Sequence, residues 1–89
     1  MKKIDLNFDI KDLEGKLVGN ASQIVATLLM SEVKGDAIKY FDWATTLNKK
    51  ESISVDNSDL AKLKALLTET EKMSILVRVP IIRHLDKIK

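Results

Sequence analysis

Ile4, Leu6, Phe8 and Ile10 alternate with Asp5, Asn7 and Asp9, a period of two that predicts a strand with one buried and one wet face. Asp12-Leu13-Glu14-Gly15-Lys16 reads as a turn with Gly15 free to take positive φ. Leu17 and Val18 then return as the second strand of a hairpin. Beyond that the period changes. Asn20-Ala21-Ser22-Gln23 predicts a helix start, with Asn20 as N-cap and Gln23 reaching back to it. Ile24, Val25, Leu28 and Leu29 repeat at three- and four-residue spacing as one stripe. Glu32 and Lys34 mark the polar end of this helix, and Gly35 falls just past its last turn.

A second helix is predicted from Ala37 to Leu47, capped by Asp36. Ala37, Phe41 and Ala44 line one face of it, Tyr40 and Leu47 flank that face, and Ile38 and Trp43 fall to the sides. This apolar surface is wider than one neighbour covers. Asn48-Lys49-Lys50-Glu51-Ser52 is a polar loop, and Ile53-Ser54-Val55 is a candidate third strand for the hairpin. Asp56 caps a third helix with Asp59 in its first turn. Its stripe is Leu60, Leu63, Leu66 and Leu67, with Lys62 and Lys64 facing water. Thr68-Glu69-Thr70-Glu71-Lys72 is a connection. In the last segment Val77-Arg78-Val79 looks like strand, yet Ile75, Val79, Ile82, Leu85 and Ile88 keep helical spacing. The prediction there is a helix disturbed near Pro80. A lone hairpin is not stable in water, so it must lie on the helices. The expected fold is α+β, an N-terminal hairpin packed on three to four helices.

Eighty-nine residues make one domain, 1–89, whose small core leaves its stability marginal unless packing is tight or copies associate. With no cysteine and one histidine, neither disulfides nor thiolate or multi-histidine metal sites are available, and no cofactor is expected. The net charge of +2 is unevenly placed. Residues 71–89 hold five basic against two acidic residues, whereas residues 1–70 hold ten against eleven. No apolar stretch reaches the 18 residues of a membrane span, and Met1-Lys2-Lys3-Ile4-Asp5 lacks a signal-peptide core. A cytoplasmic protein is the expectation, in the host cell or in a virion if a phage encodes it.

No Gly-rich phosphate loop is present, because Gly15, Gly19 and Gly35 stand alone. His84, beside Arg83 near a lysine-rich end, reads as a surface or interface histidine and not as a base. The carboxylate pairs Asp5/Asp9, Asp12/Glu14 and Asp56/Asp59 are accounted for by a strand's wet face, a turn and a cap. An enzyme is therefore the least favoured reading. Three features remain for binding. Tyr40, Trp43 and Ile38 on the aromatic helix are candidate contacts to a protein, since aromatic residues concentrate in interface hot spots; the competing role for Trp43 is core. Arg78, Arg83, Lys87 and Lys89 are candidate phosphate contacts of a nucleic-acid binder, which ranks second because the basic excess is small. The strand at Ile4–Ile10 has an edge that a partner strand could extend.

Leu13-Glu14-Gly15-Lys16, Lys34-Gly35-Asp36-Ala37-Ile38-Lys39-Tyr40-Phe41-Asp42-Trp43-Ala44, Asp56-Asn57-Ser58-Asp59-Leu60 and Ser74-Ile75-Leu76-Val77 form a layout that resembles small proteins of tailed phages and prophages. Pro80 departs from the clean terminal helix of that layout. The resemblance implies a phage context and carries over no functional residues. The expectation is a non-enzymatic interaction protein, a virion or assembly component or an inhibitor of a host protein, docking on itself or on another protein.

Overall fold

The computed structural model describes residues 1–31 and 35–88. Glu32 and Lys34, the expected polar end of the first helix, and Lys89 lie outside the described residues. The elements in order are β1 (Lys2–Ile4), β2 (Asp9–Lys11), β3 (Leu17–Asn20), α1 (Ala21–Ser31), α2 (Ala37–Asn48), β4 (Ile53–Val55), α3 (Asn57–Glu69) and α4 (Ile75–Asp86). The fold is α+β.

The alternating N-terminal segment is not one strand. The Asn7 amide donates to the Asp5 carboxylate and the Phe8 amide to the Leu6 carbonyl, so the chain bends between β1 and β2. Side chains still alternate across the bend: Ile4, Leu6 and Ile10 are buried and Asp5, Asn7 and Asp9 are exposed. Each half takes its own antiparallel partner. β2 pairs with β3 around the predicted turn, where Gly15 has φ +84°, while β1 pairs with β4. Ile53–Val55 is thus a strand as expected, but it joins β1 and not the hairpin.

The helices begin where the caps predict. Asn20 accepts from the Ser22 and Gln23 amides, Asp36 from the Lys39 amide and Asp56 from the Asp59 amide. Gln23 does not reach back to its cap; its amide donates to the Asn48 carbonyl at the far end of α2. Beside it, the buried Ser22 hydroxyl donates to the Leu47 carbonyl at 2.6 Å. The start of α1 therefore lies against the end of α2, and the two run antiparallel. α3 and α4 do likewise: Lys64 pairs with Asp86 at 3.2 Å, and Arg78 reaches the carbonyls of Thr68 and Thr70.

The segment read as a disturbed helix is a continuous one, with Pro80 inside α4. Proline removes one donor, the partner of the Leu76 carbonyl. Pro80 is on the exposed side, where water can serve that carbonyl. Ile81 and Leu85 turn inward to the core. Among the described residues no helix is long and apolar enough to cross a membrane.

The buried stripe of α2 is Trp43, Ala44 and Leu47 with Tyr40 beside it, not Ala37, Phe41 and Ala44. Positions 40, 43, 44 and 47 have the i, i+3, i+4, i+7 spacing of one face, and Phe41 lies roughly 100° around the helix from it. Trp43 is 9% exposed, Phe41 56% and Ile38 77%. Trp43→Ala is expected to cost about 3–5 kcal/mol of unfolding free energy, whereas Phe41→Ala stays within about 1 kcal/mol. Chemical denaturation of the two variants checks the assignment.

Candidate functional site: an apolar groove between the first two helices

Small residues lie where α1 and α2 pack together: Ala26 and Ala44 are both buried and both line the space between the helices, and neither side chain is long enough to fill it. What remains is an open groove of about 370 Å³, with Ala26, Thr27, Ala44 and Thr45 at its floor and Met30, Phe41, Asn48 and Lys49 at its rim. Met30 and Phe41 are both more than half exposed, and Ile38 stands one turn from Phe41. Polar atoms in the floor are already satisfied. The Thr27 hydroxyl donates to the Gln23 carbonyl and the Thr45 hydroxyl to the Phe41 carbonyl, each four residues back in its own helix. What the threonines offer an incoming group is therefore their methyls. An apolar side chain entering over the floor leaves the two threonine hydroxyls paired, while the Asn48 amide and the Lys49 ammonium remain at the edge, open to water.

Trp43 and Tyr40, expected as exposed anchors, belong to a cluster on the other side of α2. Their rings lie 5.9 Å apart, and the Lys39 ammonium sits 5.8 Å from the indole centroid. That ammonium also binds the buried Asp59 carboxylate at 3.1 Å, linking α2 to the first turn of α3. The hydrogen bond and charge of Asp59 raise the Lys39 pKa above the ordinary lysine range. Of the three protein-contact candidates, Ile38 is fully available at the surface, Tyr40 is half-buried and Trp43 is core.

The four phosphate candidates are not brought together as a set. The half-buried Arg78 guanidinium donates to the Thr70 and Thr68 carbonyls at 2.8 and 3.3 Å, closing the end of α3. Arg83 and Lys87 are exposed on α4, and Lys89 lies outside the described residues. Lys72 has a similar structural task, donating to the Ser31 carbonyl at 2.8 Å at the end of α1. His84 is held too: its Nε2 lies 2.6 Å from the Asp5 carbonyl, to which it must donate, and its ring stacks 4.8 Å from Phe8. Among the described residues no three acidic or histidine side chains gather to hold a metal ion.

The Lys39–Asp59 pair yields a test by pH. A raised folded-state pKa means that the pair's stabilisation is fully present below the ordinary lysine value of about 10.4 and lost as pH rises above it. Lys39→Met should lower the denaturation midpoint at neutral pH, because it leaves a buried carboxylate unpaired. The double change Lys39→Met/Asp59→Asn should recover part of that loss. Once pH has risen through the raised folded-state pKa of Lys39, wild type and Lys39→Met should converge. Denaturation midpoints across this pH range read all three outcomes.

Compared with family models, curated proteins and solved structures, the chain matches none of them.

Proposed function

We propose that the chain is a non-enzymatic protein–protein interaction module that docks through the groove between α1 and α2. The observation that carries this reading is the groove's chemistry: an apolar floor whose hydroxyls are bonded within their own helices, rimmed by exposed Met30 and Phe41. Aromatic and methionine side chains are what protein interfaces concentrate at their centres. Ile38 extends the surface along α2, while Trp43 and Tyr40 act from beneath by fixing the helix. The phage setting, as a virion or assembly component or an inhibitor of a host protein, rests on the sequence resemblance alone.

Nucleic-acid binding has less support. Of its four basic candidates one is engaged with carbonyls, and the two exposed ones, Arg83 and Lys87, have no exposed aromatic residue on their helix.

The test is affinity capture from nuclease-treated host lysate containing phage proteins, with wild type, Phe41→Asp and Arg83→Glu/Lys87→Glu as baits. Phe41→Asp should lose at least about 30-fold in association, as expected for an interface hot spot of 2 kcal/mol or more. The basic-residue variant should retain its partner, and raising the salt should change the capture little. Loss on nuclease treatment, or loss only in the basic-residue variant, would transfer the function to α4.

A further inference from the structure

The geometry points to a second copy of the chain as the occupant of the groove, in a two-fold dimer whose α2 helices lie antiparallel. This deepens the interaction reading and rests on it. The surface is complementary to itself: Phe41 and Ile38 are projecting apolar groups, and the trough beside them is floored by alanine and threonine methyls. A two-fold interface uses one patch twice, so a patch holding both knob and hole satisfies it without any further surface. Ile38, Phe41, Thr45 and Asn48 follow one another at spacings of three, four and three residues, and all are exposed. They form one line along the helix.

Charge selects the arrangement. Asp42 and Lys49 are exposed on this face, and among the described residues neither has an ion-pair partner. Seven residues apart, they are separated by about 10.5 Å along the axis, too far to meet within one helix. A two-fold axis crossing α2 between Ala44 and Thr45 sets Phe41 of each copy level with Asn48 of the other. The same operation brings Asp42 within about 3 Å, along the axis, of the level of Lys49 across the interface. Two intermolecular ion pairs result, and the helix dipoles oppose. A parallel two-fold arrangement would instead place these residues on opposite flanks of the contact, where the Asp42–Lys49 pairs do not form.

Size fixes the strength expected. α2 is 12 residues long, so the contact is about 18 Å long and two helices wide, at the low end of specific interfaces. The dimer should dissociate on dilution, with a dissociation constant on the order of micromolar to a hundred micromolar.

Sedimentation equilibrium of the full chain over concentrations of roughly 1 µM to 1 mM tests this, with circular dichroism confirming that each variant is folded. The expected result is a monomer–dimer equilibrium, weakened at least about 30-fold by Phe41→Asp. Asp42→Lys and Lys49→Asp should each weaken it, and the double swap Asp42→Lys/Lys49→Asp should restore it, because opposite charges again face each other. A chain that stays monomeric throughout overturns the inference, as does a dimer indifferent to Phe41→Asp. Single swaps without effect, or a double swap without rescue, overturn the antiparallel arrangement. A monomeric chain that still loses a captured protein on Phe41→Asp would sink the dimer and leave the interaction reading standing. Loss of neither association would remove both.

Discussion

The antiparallel contact of α1 with α2 is the constraint on which the rest of the molecule depends. Small residues, Ala21, Ser22 and Ala26 on α1 and Ala44 on α2, are buried in it, and the buried Ser22 hydroxyl donates to the Leu47 carbonyl where the two ends meet. Close approach fixes α2 in rotation as well as in position. With Leu47 and Ala44 turned to α1, Trp43 must enter the core beside them and Phe41 must leave it. The same smallness that lets the backbones come together leaves the outer side of the crossing unfilled. Core and groove are therefore two consequences of one choice of residues, and enlarging Ala26 or Ala44 would alter both.

The basic character of the C-terminal segment reads differently once it is folded. Helices end in carbonyls without partners, and this chain covers two of those ends with side chains from the connection after α3 and the start of α4. Lys72 serves α1 and Arg78 serves α3. His84 similarly holds the bend between β1 and β2 through the Asp5 carbonyl. Residues that look in sequence like a cationic patch are in part the means by which the terminal helix is fastened to the domain. Positive charge engaged with a carbonyl is a weak offer to a phosphate.

Local signals carried most of the fold. Side-chain caps at Asn20, Asp36 and Asp56 bind amides two or three residues on, so they can be read without knowing the tertiary structure. The leucine stripe of α3 was legible for the same reason. What the sequence did not disclose depended on distance. β4 was visible as a strand, but its pairing with β1 spans the whole helical hairpin, and nothing within Ile53–Val55 names that partner. The helix around Pro80 was predicted from the spacing of its apolar residues, and it accommodates the proline on its exposed side. The face of α2 was not decided by spacing, since Ala37, Phe41 and Ala44 keep helical spacing as well as Tyr40, Trp43, Ala44 and Leu47 do, and packing against the rest of the fold selects the second set. The groove was not legible either, because it is defined by side chains that are missing from the space between two helices.

Among the described residues, Met1 at the terminus aside, large apolar groups are exposed in three places, and their surroundings distinguish them. Leu13, Leu17 and Val18 lie on the hairpin of β2 and β3, where Ile10 pairs with Gly19 and Lys11 with Leu17, leaving Val18 as a bulge. A bulge twists a strand edge away from further pairing, so this exposure goes with protection of the edge. Ile75 and Leu76 begin α4, next to the connection that carries Lys72. Met30 and Phe41 line the groove between α1 and α2, with Ile38 one turn from Phe41, and the groove's floor is apolar because Thr27 and Thr45 have bonded their hydroxyls to their own helices. Exposed leucine by itself needs no explanation in a small protein. An exposed phenylalanine next to an apolar trough is a different matter, since covering it removes apolar surface from water while the threonine hydroxyls of the floor stay paired.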